Sequence, residues 1–129
     1  MKTVILDTNF LVDCLSWKVD FFSELTRVLS SQFTLVVIDK TVDELDTVIK
    51  EGKQTERIGA RLAKQLIAKG RVSIIQTDKK GHTDALILKH ATKDTIVATQ
   101  DQALKRKLKE KSIPVIVIRQ KKYLELIGR

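Results

Sequence analysis

The stretch Met1-Lys-Thr-Val-Ile-Leu-Asp7-Thr-Asn9-Phe-Leu-Val12 decides how this chain is read. Thr3 to Leu6 is a short apolar, β-branched run that fits a buried strand, and it stops at an acid followed by Thr and Asn. A carboxylate at the carboxyl end of a first buried strand, where the chain turns into a helix, sits at the edge where open α/β sheets place their ligands. Function then turns on what converges on Asp7.

Outward from that stretch, strand and helix patterns alternate. Phe10 to Leu15 can make a short helix, and Val19, Phe22, Leu25, Val28 and Leu29 recur at helical spacing through Ser30. Phe33 to Ile38 is a second apolar strand. Thr41-Val-Asp-Glu44 has the Thr-x-x-Glu pattern of a capping box and is expected to open the next helix, broken at Gly52. Ile58, Leu62, Leu66 and Ile67 carry a longer amphipathic helix ending at Gly70, and Arg71 to Ile75 is a third strand. A polar loop, Gln76 to Thr83, holds Lys79, Lys80 and Gly81, and Asp84 to His90 restarts a helix. Thr95 to Ala98 is strand four, Asp101 to Lys111 a basic helix, and Pro114 to Ile118 strand five. Strands that are apolar throughout, alternating with helices, indicate a parallel sheet covered on both faces. Right-handed crossovers bring the carboxyl ends of all the strands to one edge.

The totals fit a single domain over residues 1–129. An apolar fraction of 43% argues against disorder, and a net charge of +8 makes a polyanionic partner attractive. A lone cysteine, Cys14, rules out an internal disulfide and a thiolate zinc cluster and suits a reducing cytoplasm. No apolar run is long enough to span a bilayer, so no membrane association is expected.

Four acids fall at the shared edge: Asp7 after strand one, Glu44 in the first turn of the helix after strand two, Asp84 after the Lys-Lys-Gly loop, and Asp101 after strand four. Each could simply be a helix cap, contributing about 1 kcal/mol. Carboxylates about 5 Å apart repel by roughly 3 kcal/mol per pair at an effective dielectric near 20, which exceeds that gain. Such a cluster persists only where a cation offsets it. All-oxygen donors without Cys or a His cluster select Mg²⁺ or Mn²⁺. At the edge of a basic domain, such an ion is suited to activating a water and stabilising the leaving oxygen of a phosphodiester. Asp39, Asp78, Asp43 and Asp46 could border the site, Asp94 lies at the opposite edge, and His82 could touch a substrate phosphate.

The ordered set Val-Ile-Leu-Asp7-Thr-Asn9-Phe-Leu, Val-Asp-Glu44-Leu, Thr-Asp84-Ala-Leu-Ile-Leu and Ile-Val-Ala-Thr99-Gln-Asp101-Gln-Ala-Leu-Lys resembles the PIN domain over essentially the whole chain. The terminal run Pro114-Val-Ile-Val-Ile-Arg119-Gln-Lys-Lys-Tyr123-Leu resembles archaeal PIN proteins related to nucleases of small-subunit ribosomal RNA processing; VapC-type toxins are the next relatives. The resemblance implies a three-layer α/β fold with a five-stranded parallel sheet ordered 3-2-1-4-5. It also implies an Mg²⁺- or Mn²⁺-dependent endoribonuclease site acting on single-stranded or structured RNA. It carries the metal-site acids onto Asp7, Glu44, Asp84 and Asp101, supported by Asn9 and Thr99. Gln100 stands where Asn is common, and Thr83 where some relatives have a second acid, which points to a weaker second metal position.

Leu104 and Leu108 are expected to point inward from the basic helix, leaving Lys105, Arg106 and Lys109 outside; Lys79, Lys80, Arg119, Lys121 and Lys122 could extend that stripe toward RNA. Trp17 and Tyr123 are candidates for base stacking, and a homodimer could use Phe21 or Trp17. Two jobs compete within the nuclease reading, ribosomal RNA maturation and a toxin held by an antitoxin peptide. Outside it stand a non-catalytic RNA-binding module and a phosphoacceptor domain, for which Asp78 would be the acceptor.

Overall fold

A computed structural model describes residues 1–128, and its central strand is the one that ends at Asp7. The order along the chain is β1 (Lys2–Leu6), α1 (Thr8–Ser16), α2 (Phe21–Val28), β2 (Phe33–Ile38), α3 (Asp39–Glu51), α4 (Gln54–Ala68), β3 (Ser73–Ile75), α5 (Thr83–His90), β4 (Thr95–Ala98), α6 (Gln102–Glu110), β5 (Val115–Arg119) and β6 (Tyr123–Ile127). The sheet runs β3-β2-β1-β4-β5-β6. β1 pairs in parallel with β2 on one side (Val4 with Leu35) and with β4 on the other (Val4 with Ile96). The connection order reverses at β1, so Asp7 leaves the sheet at its switch point, where the crevice between diverging loops forms.

Side chains alternate along the strands between two apolar layers. Val4, Leu6, Val37, Ile96, Ala98 and Ile116 pack under α1, α2 and α4, whereas Ile5, Ile38, Val97 and Val117 pack against Leu86 and Ile87 of α5 and Leu104 and Leu108 of α6. The inward placement of Leu104 and Leu108 is as expected. No described helix is long and apolar enough to cross a membrane.

The structure departs from the sequence expectation in three places. First, the sheet has a sixth strand, β6, antiparallel to β5 with Ile118 opposite Leu124, so it is not wholly parallel. The hairpin turn places Gln120 and Lys121 both at positive φ (54° and 55°), closed by Lys122 N–H donating to the Arg119 carbonyl at 2.9 Å. Such a turn ordinarily announces itself with Asn or Gly, and neither is present. The outer edge of β6 is closed by α2: Glu24 Oε1 accepts from Leu124 N–H at 2.9 Å, and Arg27 donates to the Leu124 carbonyl at 2.7 Å. The paired Glu24 and Arg27 side chains stand in for a neighbouring strand, a device that blocks edge-to-edge association.

Second, α3 starts at Asp39, so Thr41 is no cap and Glu44 lies beyond the first turn. Third, α4 buries Gly59, Ala60 and Ala63, leaving Ile58 and Leu62 exposed. At Gly59 a Cβ would come within 2.3 Å of Ser16 Oγ and 2.6 Å of the Val12 carbonyl oxygen. Close approach of α1 and α4 therefore selects small residues, and the large apolar ones are displaced outward. Phe21, expected as an exposed dimer contact, is buried, and Trp17 is half-buried.

Candidate active site

The four acids expected at one edge line a common cleft of about 320 Å³, together with Thr8, Asn9, Thr47, Val48 and Thr83. Asp7 is the N-cap of α1 and Asp101 the N-cap of α6, each delivered by the end of a central parallel strand. Asp84 lies in the first turn of α5, and Glu44 reaches in from α3. Asp101 behaves as a true cap, with Oδ1 accepting from Leu104 N–H at 2.8 Å. Asp7 does not cap α1 with its side chain. Its Oδ2 accepts instead from the Thr99 hydroxyl at 2.7 Å, and the same Thr99 oxygen accepts from Asp101 N–H at 3.1 Å. Thr99 is fully buried, so one hydroxyl couples the first acid to the loop of the fourth.

Glu44 is held in a comparable way. Its Oε1 accepts from the Thr8 hydroxyl at 2.5 Å, its Oε2 from the Thr83 hydroxyl at 3.0 Å, and Thr41 Oγ1 lies 3.0 Å from Thr8 Oγ1. Thr83 thus supplies a hydroxyl donor that fixes Glu44 from across the cleft. In the sequence, Thr41 reads as a helix cap, Thr83 as the replacement of an acid and Thr8 as nothing in particular; none of the three is expected to hold Glu44. Their signal, threonines beside acids at helix starts, is too common to isolate them.

Burial pushes the Asp7 carboxyl above its ordinary range, partly offset by the Thr99 hydroxyl and the Thr8 backbone, with the Glu44 and Asp84 charges raising it further. Asp7 is thus a carboxylate that burial first, and its acidic neighbours second, make costly to ionise. Oxygen donors dominate the lining of the cleft, which fits a hard cation and excludes a thiolate or imidazole site. Among the described residues, no three His, Cys, Asp or Glu side chains are gathered tightly enough to enclose an ion by themselves.

The other carboxylates have separate employment outside the lining. Asp39 is buried, yet it accepts from Thr77 N–H at 2.9 Å, the Thr77 hydroxyl at 2.6 Å and Lys40 N–H at 2.9 Å, and these bonds hold its carboxyl below the usual range. Asp43 pairs with Lys79 at 3.0 Å, Asp46 with Lys64 at 2.5 Å, and Asp78 accepts from Lys80 N–H at 2.9 Å and faces Lys89 at 3.6 Å. Asp94 lies at the far edge, its carbonyl accepting from Thr3 N–H at 3.0 Å. His82 is the exposed N-cap of α5, outside the lining, and His90 Nδ1 lies 2.9 Å from the Leu86 carbonyl oxygen.

Of the basic residues, Lys79 is tied to Asp43 and Arg119 to Glu125 at 2.6 Å. Lys121 lies over the Trp17 ring, 5.1 Å from its centroid, which commits both to packing against each other. Lys80, Lys105, Arg106, Lys109 and Lys122 enter no ion pair among the described residues.

A family profile described as PIN like domain matches residues 4–121. The chain belongs to the PIN like domain family. "Ribonuclease VapC4" of Methanocaldococcus jannaschii is 36% identical over 99% of this chain and 98% of its own length, and "Ribonuclease VapC9" of Archaeoglobus fulgidus is 28% identical over 98% and 92%. The solved structure of the PIN domain endonuclease Utp24 superposes with a TM-score of 0.78 at 26% identity, covering 96% of this chain and 90% of that one. A domain of a functionally unknown protein from M. jannaschii shares the fold, with a TM-score of 0.62 at 19% identity over 92% of each chain. The residues matched by the family profile run from β1 through β5, the core from which the acid cleft is built.

Proposed function

We propose that this chain is a magnesium- or manganese-dependent endoribonuclease whose metal ligands would be drawn from Asp7, Glu44, Asp84 and Asp101, with water completing the shell. One observation carries the reading: carboxylates from four separate parts of the sequence line a single cleft at the sheet's switch point. A ribonuclease relative of nearly equal length and an endonuclease of the same fold support it.

The bound cation would polarise the scissile phosphate and supply a nucleophilic water at neutral pH. The chain's own residues prepare for it. Thr99 orients Asp7 and the Asp101 loop together, and Thr8 and Thr83 fix both oxygens of Glu44 while leaving lone pairs for further bonds. Asn9, exposed at the cleft, is suited to hydrogen-bonding substrate. Lys80, Lys105, Arg106, Lys109 and Lys122 are free to meet RNA phosphates, whereas Lys79, Arg119 and Lys121 would have to leave existing partners. Cys14 is buried, its thiol pushed up to about 12 by that burial, so it stays protonated and takes no part in the chemistry.

The deciding experiment is Mn²⁺-dependent cleavage of an end-labelled structured RNA by the native chain and by Asp84→Asn. Loss of cleavage in the variant, with RNA binding retained, is expected; equal cleavage by both removes the enzyme and leaves an RNA-binding module. For the biological role we propose ribosomal RNA maturation, on the resemblance of the terminal run from Pro114 to Leu124 to archaeal PIN proteins related to nucleases of that process. The VapC relatives favour a second reading, a toxin with an antitoxin partner. Induced expression separates the two: growth arrest relieved by a neighbouring gene product belongs to the toxin alone.

A further inference from the structure

α6 covers the sheet only as far as β5, and β6 lies beyond it. By alternation along β6, Tyr123, Glu125 and Ile127 turn toward the α6 side and are exposed, while Leu124 turns into the opposite core. Between helix and strand lies a groove of about 530 Å³, lined by apolar Ile113, Val115 and Ile127 and by the cations Lys105, Arg106 and Lys109. Ile127 is 40% exposed. Among the described residues, no carboxylate lines the groove and none of the three cations is in an ion pair. At one end the groove reaches Gln102, which follows Asp101 of the acid cleft.

We propose that this groove holds single-stranded RNA running on from the acid cleft, with phosphates on Lys105, Arg106 and Lys109 and a base resting on Ile127 and Val115. It rests on the ribonuclease reading above. Three features favour RNA as the occupant. Unpaired cations spaced along one helix match a repeating anion, and an apolar floor accepts the face of a base without demanding its identity. The groove also begins beside the cleft proposed to cut the strand, since its Gln102 is next in the chain to Asp101 of that cleft. α6 is about 13 Å long, enough for roughly four stacked nucleotides. Pairing of a peptide strand onto β6 is opposed, since the outer backbone groups of Leu124 already bond to Glu24 and Arg27. Glu125, on the same face, is neutralised by Arg119.

Equilibrium binding of fluorescein-labelled four- and twelve-nucleotide single-stranded RNAs, measured in chelator across a salt series, tests this. Lys105→Ala/Lys109→Ala should weaken twelve-mer binding roughly tenfold and shrink the salt slope by about 1.4, the value for two lost phosphate contacts. Ile127→Asp should weaken it severalfold, and a 2-aminopurine placed in the strand should lose its change in emission. Lys50→Ala/Arg61→Ala removes two charges on α3 and α4 and should leave binding as in the native chain. Groove variants that bind like the native chain, or a control that weakens as much as they do, overturn the proposal. So does an Ile127→Asp variant that alters self-association in sedimentation but not RNA affinity. The assay needs no cleavage, so groove-dependent binding by a chain that cuts no RNA with Mn²⁺ supports the groove and removes only the nuclease.

Discussion

Replacing Asp7 by Asn in the metal-free protein should stabilise the fold at neutral pH. Two carboxylates lining one cleft at a separation on the order of 8 Å repel by about 2 kcal/mol at an effective dielectric of 20. Screening at physiological ionic strength, where the Debye length is about the same, reduces this to ~1 kcal/mol per neighbour. Asp7 feels two such neighbours, Glu44 and Asp84, besides its burial. Against this, Asn keeps a carbonyl for the Thr99 hydroxyl but loses the ionic part of that bond, about 1 kcal/mol. The net gain is on the order of 1 kcal/mol, or a Tm higher by about 3–6 °C for a chain of this size. The sign follows from the raised carboxyl: the folded state holds the Asp7 proton more tightly than the unfolded state. The native chain's penalty is therefore complete above the folded pKa and vanishes as pH falls below the ordinary value of 3.8. Thermal melts in chelator at pH 7 and near pH 4 measure both limbs. With millimolar Mn²⁺ the order should reverse, because only the native cleft gains from the ion. An unchanged or lower Tm for the variant at pH 7 in chelator, or a gain that persists undiminished in acid, would refute the reasoning.

Thr99→Val, nearly isosteric, strands Asp7 Oδ2 and Asp101 N–H together and should cost about 1–3 kcal/mol in urea unfolding, with weaker Mn²⁺ binding by calorimetry. Gly59→Ala puts a methyl against Ser16 and the Val12 carbonyl; it should cost about 1–3 kcal/mol by forcing α1 from α4, where the same change at exposed Gly70 should not crowd a neighbour. Asp39→Ala should release the loop carrying Lys79 and Lys80, seen as faster amide exchange at Thr77, and lower the Tm at pH 7. Since the Asp39 carboxyl is depressed in the fold, its contribution is present above the ordinary value of 3.8 and is lost as pH falls through the folded pKa, so the native and variant melting curves should converge in acid.

The sequence by itself determined the α/β architecture, the order of the five parallel strands through a family resemblance, and the positions of Asp7, Glu44, Asp84 and Asp101. Apolar strand runs and acids at strand ends are local patterns, and right-handed crossovers carry them to one edge without knowledge of any contact. Only the tertiary structure decided how those acids are held. The Thr99 bridge spans 92 positions and the Thr8 to Glu44 bond 36, and no local spacing encodes either. The same reason explains the misjudged elements. Thr41 looks like a cap until Thr8 is seen beside it, and Ile58 and Leu62 look like core until the close approach at Gly59 pushes them out. β6 was hidden because a hairpin turn built from Gln120 and Lys121 carries no local signal, and its stability rests on partners in β5 and on Glu24 and Arg27, about a hundred residues away. Asp39 and Asp78 follow strands as the site acids do, and the structure shows what engages each: Asp39 accepts from Thr77, 38 positions away, a meeting only folding brings about, whereas Asp78 closes a local turn on Lys80 N–H.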